Sequence, residues 1–200
     1  MELDITTVTK NLHALSPTAQ KEVIALLDQL NIARGRASAQ KDFLSFVKEV
    51  WPAFIEGSHH AIMSDAFNRI ADGSLKRLIV NMPPRHTKSE FASYLFPAWY
   101  LGKYPDKKVI QTAHTAELAV GFGRKVRNLV GTSGYQDLFP AVALSSDSKA
   151  AGRWNTNQGG DYFAIGVGGA VTGKGADILI VDDPHSEQEA ATNDPAVYNK

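Results

Sequence analysis

Residues 77–96 read RLIVNMPPRHTKSEFASYLF. The pattern changes period in the middle of this stretch. Leu78-Ile79-Val80 is a short apolar run that predicts a buried strand, and Phe91 to Leu101 predicts a helix. Between them, Pro83 and Pro84 have no N–H and only shape the turn. Lys88 and Ser89 fall where the helix begins. A loop that leaves a buried strand and enters a helix turns free backbone N–H groups toward an anion. The donors here belong to Arg85, His86, Thr87, Lys88 and Ser89. Lys88 is placed to reach outer phosphates and the Ser89 hydroxyl to meet a magnesium ion. Arg85 adds a guanidinium that forks onto phosphate oxygens. Against the pattern G-x-x-x-x-G-K-[ST], the stretch keeps Lys-Ser but carries Met82 and Thr87 at the two glycine positions. The alternative reading is an ordinary proline-rich turn with exposed charges.

A second stretch scores better and fits worse. Residues 166–177 read GVGGAVTGKGAD, and Gly168 to Lys174 match the first seven positions of the same pattern. Gly175 stands where the hydroxyl belongs. The stretch leaves one predicted strand and enters another, ADILIVDD, so it offers no helix N-terminus. It reads as a flexible glycine-rich connection.

A phosphate cradle needs a metal site, and ILIVDDP (178–184) supplies one. An aliphatic strand ends in two acids. Asp182 would hold magnesium and Asp183 would orient the attacking water. The alternative is a strand running into an Asp-Asp-Pro turn. In open α/β sheets ligands gather beyond the carboxyl ends of the strands, and both motifs lie at such ends.

The rest of the chain fits this frame. Ser16-Pro17 starts a helix by capping, with Val23, Leu26, Leu27 and Leu30 as its stripe. Arg34 to Ser38 reads as a linker. Phe43, Phe46, Val47 and Val50 form a second amphipathic helix ended by Trp51-Pro52. Ser58 is the expected cap of a third, from His59 to Ala71, stopped by Asp72-Gly73. Lys107 to Ala113 predicts a strand. Thr115 caps a helix with Leu118, Phe122, Val126 and Leu129 on one face. Arg153 to Thr156 and Tyr162 to Val167 predict a hairpin around Asn157–Gly160. Strands alternating with helices, aliphatic and without polar alternation, predict an α/β fold with a mainly parallel sheet buried on both faces.

Composition sets bounds. The chain has 200 residues and 44% hydrophobic content, enough for one sizeable core. Lys+Arg and Asp+Glu are both 21, which removes the argument from a strongly basic chain for nucleic-acid binding and leaves a local basic face open. With no cysteine there is neither disulfide nor thiolate chemistry. The first residues lack the apolar core of a signal peptide. No apolar run reaches the ~18 residues of a membrane span. A soluble, cytoplasmic protein is expected.

Taken together, the sequence resembles the ATPase domain of the large subunit of tailed-bacteriophage terminases, from about Phe43 onward. The resemblance rests on the helix from His59-His60 to Asp72-Gly73, MPPRHTKSE in its context, LGKYPDKKVIQTAHTAELAVGFGRKVRNLV, YQDLFP, the RWNT hairpin and GVGGAVTGKGADILIVDDP. It implies a P-loop NTPase core of the additional-strand type, preceded by N-terminal helices. It also implies magnesium-dependent ATP hydrolysis driving double-stranded DNA into a procapsid in the host cytoplasm. Implied partners are the small subunit, the portal protein and further copies of the chain in a ring. Arg85, Lys88 and Ser89 match the family's unconventional Walker A, and Asp182 and Asp183 its Walker B. Arg124 and Arg127 share a helix face and are candidates for an arginine acting on a neighbour's ATP; a solvated basic face is the alternative. His59 and His60 fall where related motors contact adenine, or they cap the helix. Thr172 and Lys174 are candidates for a DNA or subunit contact.

Three departures accompany the resemblance. Asp183 stands where many relatives carry glutamate, with Glu187 and Glu189 nearby as substitutes. The coupling segment that the family carries after Walker B and its nuclease domain are not expected within these 200 residues. The expected organisation is a helical segment and linker over 1–40 and an ATPase domain over 41–200, incomplete at its C-terminal end, without nuclease activity. Two other classes stay open: a nucleotide-binding module with little hydrolysis, and a helicase-like DNA translocase.

Overall fold

The computed structural model describes residues 12–147, 150–186, 191, 192 and 196. Glu187 and Glu189 lie outside them. The fold is mixed α/β, with a small, mostly parallel four-stranded sheet and flanking helices.

Helix α1 spans Pro17–Lys41, with the Ser16 hydroxyl accepting from the Ala19 N–H at 3.3 Å and proline in its first turn. It runs straight through Arg34–Ser38, where a linker is expected. One glycine in a helix costs only about 1 kcal/mol. Contacts beyond it offset that cost. Arg36 pairs with Asp137 at 2.8 Å, and buried Ala39 gives its carbonyl to the Trp99 indole N–H at 2.9 Å. The N-terminal half is less engaged: Leu26 of the expected stripe is 63% exposed.

Helix α2 (Phe43–Val50) starts on Asp42, whose carboxylate accepts from the Ser45 N–H and from the Asn68 amide, both at 2.8 Å. Those bonds outweigh the upward push of burial and hold Asp42 below the usual carboxylate range. Helix α3 (Ser58–Ala71) is capped by Gly57, one residue before the expected Ser58. Phe43 meets Phe67, Phe91 and Phe96 edge-on at 5.3 to 5.8 Å. This aromatic cluster fastens α2 and α3 to the helix that follows the proline turn.

The predicted strand Leu78-Ile79-Val80 is not one. The segment is extended but pairs with no strand, and Ile79 is 86% exposed. Apolar content marks a segment suited to burial. It does not supply the neighbouring backbone a ladder needs.

The sheet has the order β2-β3-β1-β4. Strand β1 (Lys108–Ala113) is central. It runs parallel to β3 (Asp161–Gly166) on one side and to β4 (Ile178–Asp182) on the other, with Ala113 level with Asp182. Strand β2 (Arg153–Asn155) closes the predicted hairpin antiparallel to β3, and Trp154 stacks on Tyr162 at 5.0 Å. Helix α5 (Ala116–Val130) covers β3, after helix α4 (Phe96–Lys103), and starts on the Thr115 hydroxyl. Its buried face is Ala119, Gly123, Val126 and Leu129, shifted from the expected stripe, and Leu118 is 45% exposed. Small residues won because the helix lies close to the sheet: a Cβ on Gly123 would meet the Tyr162 ring of β3 at 3.0 Å and the Ala151 carbonyl oxygen beside it at 2.6 Å. Helix α6 is Ser133–Leu138.

Strand β4 departs from the expectation of burial on both faces. It has one neighbour, and Leu179 and Val181 are 63% and 53% exposed. A groove of about 530 Å³ lies between it and the unpaired segment around Leu78 and Val80. Among the described residues no helix is long and apolar enough to cross a membrane.

Candidate functional site

The proline turn carries two residues in the left-handed region, Arg85 at φ 64° and Thr87 at φ 62°. Thr87 occupies the position where the phosphate-loop pattern has its second glycine. The turn therefore takes the glycine-like backbone without the glycine, in a region β-branched residues avoid. Helical geometry begins at Lys88, and the Phe91 N–H closes the first turn on the Thr87 carbonyl at 2.9 Å. A π-helical turn, Glu90–Leu95, follows before α4, with the Phe96 N–H reaching back to the Phe91 carbonyl. Such turns recur where a helix must re-aim side chains. Here the turn presents Ser93, whose hydroxyl donates to Asp182 Oδ2 at 2.9 Å.

The strand-end acids meet the loop lysine. Lys88 Nζ lies 2.6 Å from Asp183 Oδ1 and 3.7 Å from Asp182 Oδ1. Burial pulls the Lys88 ammonium down, but the Asp183 contact and the charge of Asp182 outweigh it, and the lysine titrates above its usual 10.5. Asp182 is 7% exposed, whereas Asp183 is open to solvent and sits at φ 42°. The Asp183 carbonyl accepts from the His114 N–H at 3.2 Å, which ties this corner to the end of β1.

Arg85, His86, Thr87, Lys88 and Ser89 all line one cleft of about 960 Å³, with His114 and Asp183 on its far wall. His86 Nδ1 is 2.9 Å from the Pro84 carbonyl oxygen. Asp182 lies behind Lys88, at the end of the groove along β4. The cleft thus joins cations, backbone donors and a helix-start hydroxyl to the Asp183 carboxylate, with Asp182 reached through Lys88. Such a set suits a polyphosphate with a divalent cation, because magnesium is commonly held by one or two carboxylates plus substrate oxygens.

The other candidates lie elsewhere. Arg124 is exposed on α5, and Arg127 reaches the side chain of Asn128 at 3.2 Å; neither lines the cleft. Between them, Lys125 pairs with Glu90 at 2.7 Å and ties α5 to the π-helical turn. Thr172 and Lys174 sit on the exposed connection from β3 to β4. Its glycines Gly168 and Gly173 take φ 80° and 78°, and Lys174 Nζ lies 3.6 Å from the centre of the Phe163 ring. Lys174 is therefore not part of the cleft.

Three contacts around the cleft have no counterpart in the local sequence pattern. Ser93 carries no signal, since the π-helical turn that aims it has no pattern. Lys125 lies between two arginines of the same basic helix, and its pairing with Glu90 has no local signal. His60 caps the helix, one of its two expected roles, through the Gly57 N–H at 2.8 Å, and the bond from its other ring nitrogen to Thr87 has no sequence signal. Comparison of the chain with protein-family models, with curated proteins and with solved structures finds no match.

Proposed function

We propose that this chain is the ATPase domain of a terminase large subunit of a tailed bacteriophage, with a P-loop core of the additional-strand type. On this reading it hydrolyses ATP to move double-stranded DNA into a procapsid in the host cytoplasm. It would work as a homo-oligomeric ring with a small subunit and a portal protein. One observation carries the reading: Lys88, at the start of a helix, reaches both acids at the end of β4, at 2.6 and 3.7 Å. An ammonium and a carboxylate pair this close frame a site for a phosphate chain and its magnesium.

On this reading the roles divide as follows. Free N–H groups from Arg85 to Ser89 face the phosphates, helped by the helix N-terminus. Lys88 exchanges its carboxylate contacts for outer phosphate oxygens. Ser89 and Asp182 hold magnesium, with Ser93 fixing the Asp182 carboxylate. Asp183, exposed on the cleft wall, orients the water. Arg85 neutralises charge that develops on the transferred group.

A second reading, a nucleotide-binding module with little hydrolysis, has its own support. The segment before the loop is unpaired and β4 has one neighbour, so the two halves of the site are not joined by a continuous sheet. Steady-state turnover of magnesium-ATP, with and without double-stranded DNA, separates the two. Turnover stimulated by DNA supports the motor. Tight binding with turnover at background supports the module. Failure to bind sinks both.

A further inference from the structure

His60 sits at the start of α3, with its ring between Phe91, stacked at 4.9 Å, and Phe54, edge-on at 4.7 Å. Its two ring nitrogens have different partners. Nδ1 is 2.8 Å from the backbone nitrogen of Gly57, and Nε2 is 2.7 Å from the Thr87 hydroxyl. A backbone N–H only donates, so Nδ1 must be bare and the neutral ring carries its proton on Nε2. Nε2–H then donates to the Thr87 oxygen. The Thr87 hydroxyl in turn donates to the His86 carbonyl at 2.6 Å. The three bonds run in one direction, from the Gly57 N–H through His60 and Thr87 to the phosphate-loop backbone.

The last link bears on function. Thr87 holds φ 62°, a costly conformation for a β-branched residue that persists only when its surroundings over-determine it. The same residue gives its carbonyl to the first helical bond, from Phe91. Its torsion therefore decides where the N–H groups of Lys88 and Ser89 point. No glycine is available at this position to take the conformation freely.

We infer that His60 is a positioning residue: through its Nε2–H bond to Thr87 it holds the glycine-poor loop in the shape that receives phosphate. The assignment rests on the proposed ATP site, so the test needs one readout with nucleotide and one without.

The two amide substitutions divide the two nitrogens. The side-chain amide of Asn reaches about as far as Nδ1, and that of Gln about as far as Nε2. His60→Asn thus keeps the bond to Gly57 and loses Thr87, while His60→Gln keeps Thr87 and loses Gly57. Magnesium-ATP affinity is measured by equilibrium titration, and amide hydrogen exchange over residues 85–91 is measured without nucleotide. His60→Asn is expected to weaken binding about tenfold and His60→Gln less than about threefold, as for the loss or retention of one buried hydrogen bond. Exchange should rise in the Asn variant alone. Thr87→Val, which leaves α3 and its cap intact, should match His60→Asn, and the double variant should be no worse than either.

Equal losses in the Asn and Gln variants, or a greater loss in Gln, would overturn the inference and leave His60 as a helix cap. Strictly additive effects in the double variant would do the same. If the wild type binds no ATP, the proposed function falls, and hydrogen exchange still decides whether His60 braces the loop.

Discussion

Two loops of this protein carry a lysine in a phosphate-loop pattern, and the structure treats them differently. The connection from β3 to β4 has the glycines and uses them, with Gly168 and Gly173 in the left-handed region. It joins one strand to another, and its Lys174 lies on the Phe163 ring. The turn over 82–89 lacks both glycines, yet Thr87 and Arg85 take the left-handed conformation and Lys88 meets two carboxylates. Glycine is one way to a backbone shape, and a hydrogen-bonded side chain is another. On the proposed reading, what makes a phosphate loop is the helix it enters and the acids it faces.

The comparison breaks most readily at the acids. Asp183→Asn keeps the shape of the cleft and removes the charge proposed to orient water. Turnover should fall about 100-fold, with magnesium-ATP affinity within a few-fold of wild type, as expected of a group that acts in the transition state. Loss of affinity in equal measure would make Asp183 a binding residue.

Ser93 sharpens it next. Removing its hydroxyl leaves the nearly buried Asp182 carboxylate one donor short. A bond of this kind to a charged group is worth about 1.5–3 kcal/mol. Ser93→Ala should therefore raise the magnesium concentration for half-maximal ATP binding by roughly tenfold. An unchanged magnesium requirement would separate Asp182 from the metal.

Acid should affect the glycine-poor loop through His60. Burial first, then the charges of His59 and His86, hold His60 below its usual 6.5 against the opposing field of Glu56. The unfolded chain takes up the proton first as pH falls. The stabilisation is thus complete above 6.5 and is lost as pH falls through the lower folded value. As pH falls below 6.5, the Tm of the wild type should drop more steeply than that of His60→Gln. Parallel curves would mean that the ring does not titrate in this range.

The smallest effect belongs to the glycine-rich connection. Gly173→Ala places a side chain at φ 78° and should cost about 1 kcal/mol of stability, read as a lower Tm. ATP affinity should not move. A change in affinity would bring the connection back into the site.

Much of this was legible in the sequence, for physical reasons. Strand β4, the hairpin of β2 and β3, and the starts of α1 and α5 follow from local patterns: aliphatic runs, a glycine turn, hydroxyl caps. Lys88, Ser89, Asp182 and Asp183 stand out in the sequence because a lysine and hydroxyl at a helix start and paired acids at a strand end have few structural uses. What stayed hidden was relational. Leu78–Val80 has the composition of a strand, and composition does not say that its backbone is left unpaired. Arg34–Ser38 has the composition of a linker, and packing by Arg36 and Ala39 carried α1 through it. The Ser93 and His60 bonds join residues distant in sequence, and no local period encodes them.

The central claim is that the loop without glycines is the one that holds phosphate. It is tested most directly by titrating magnesium-ATP into the wild type, Lys88→Ala and Lys174→Ala and measuring Kd for each. Lys88→Ala should weaken binding by about 100-fold or more, through loss of a charge-assisted contact to phosphate, while Lys174→Ala should stay within about twofold of wild type. The reverse order, with Lys174→Ala abolishing binding and Lys88→Ala sparing it, would contradict the account and move the site to residues 166–177.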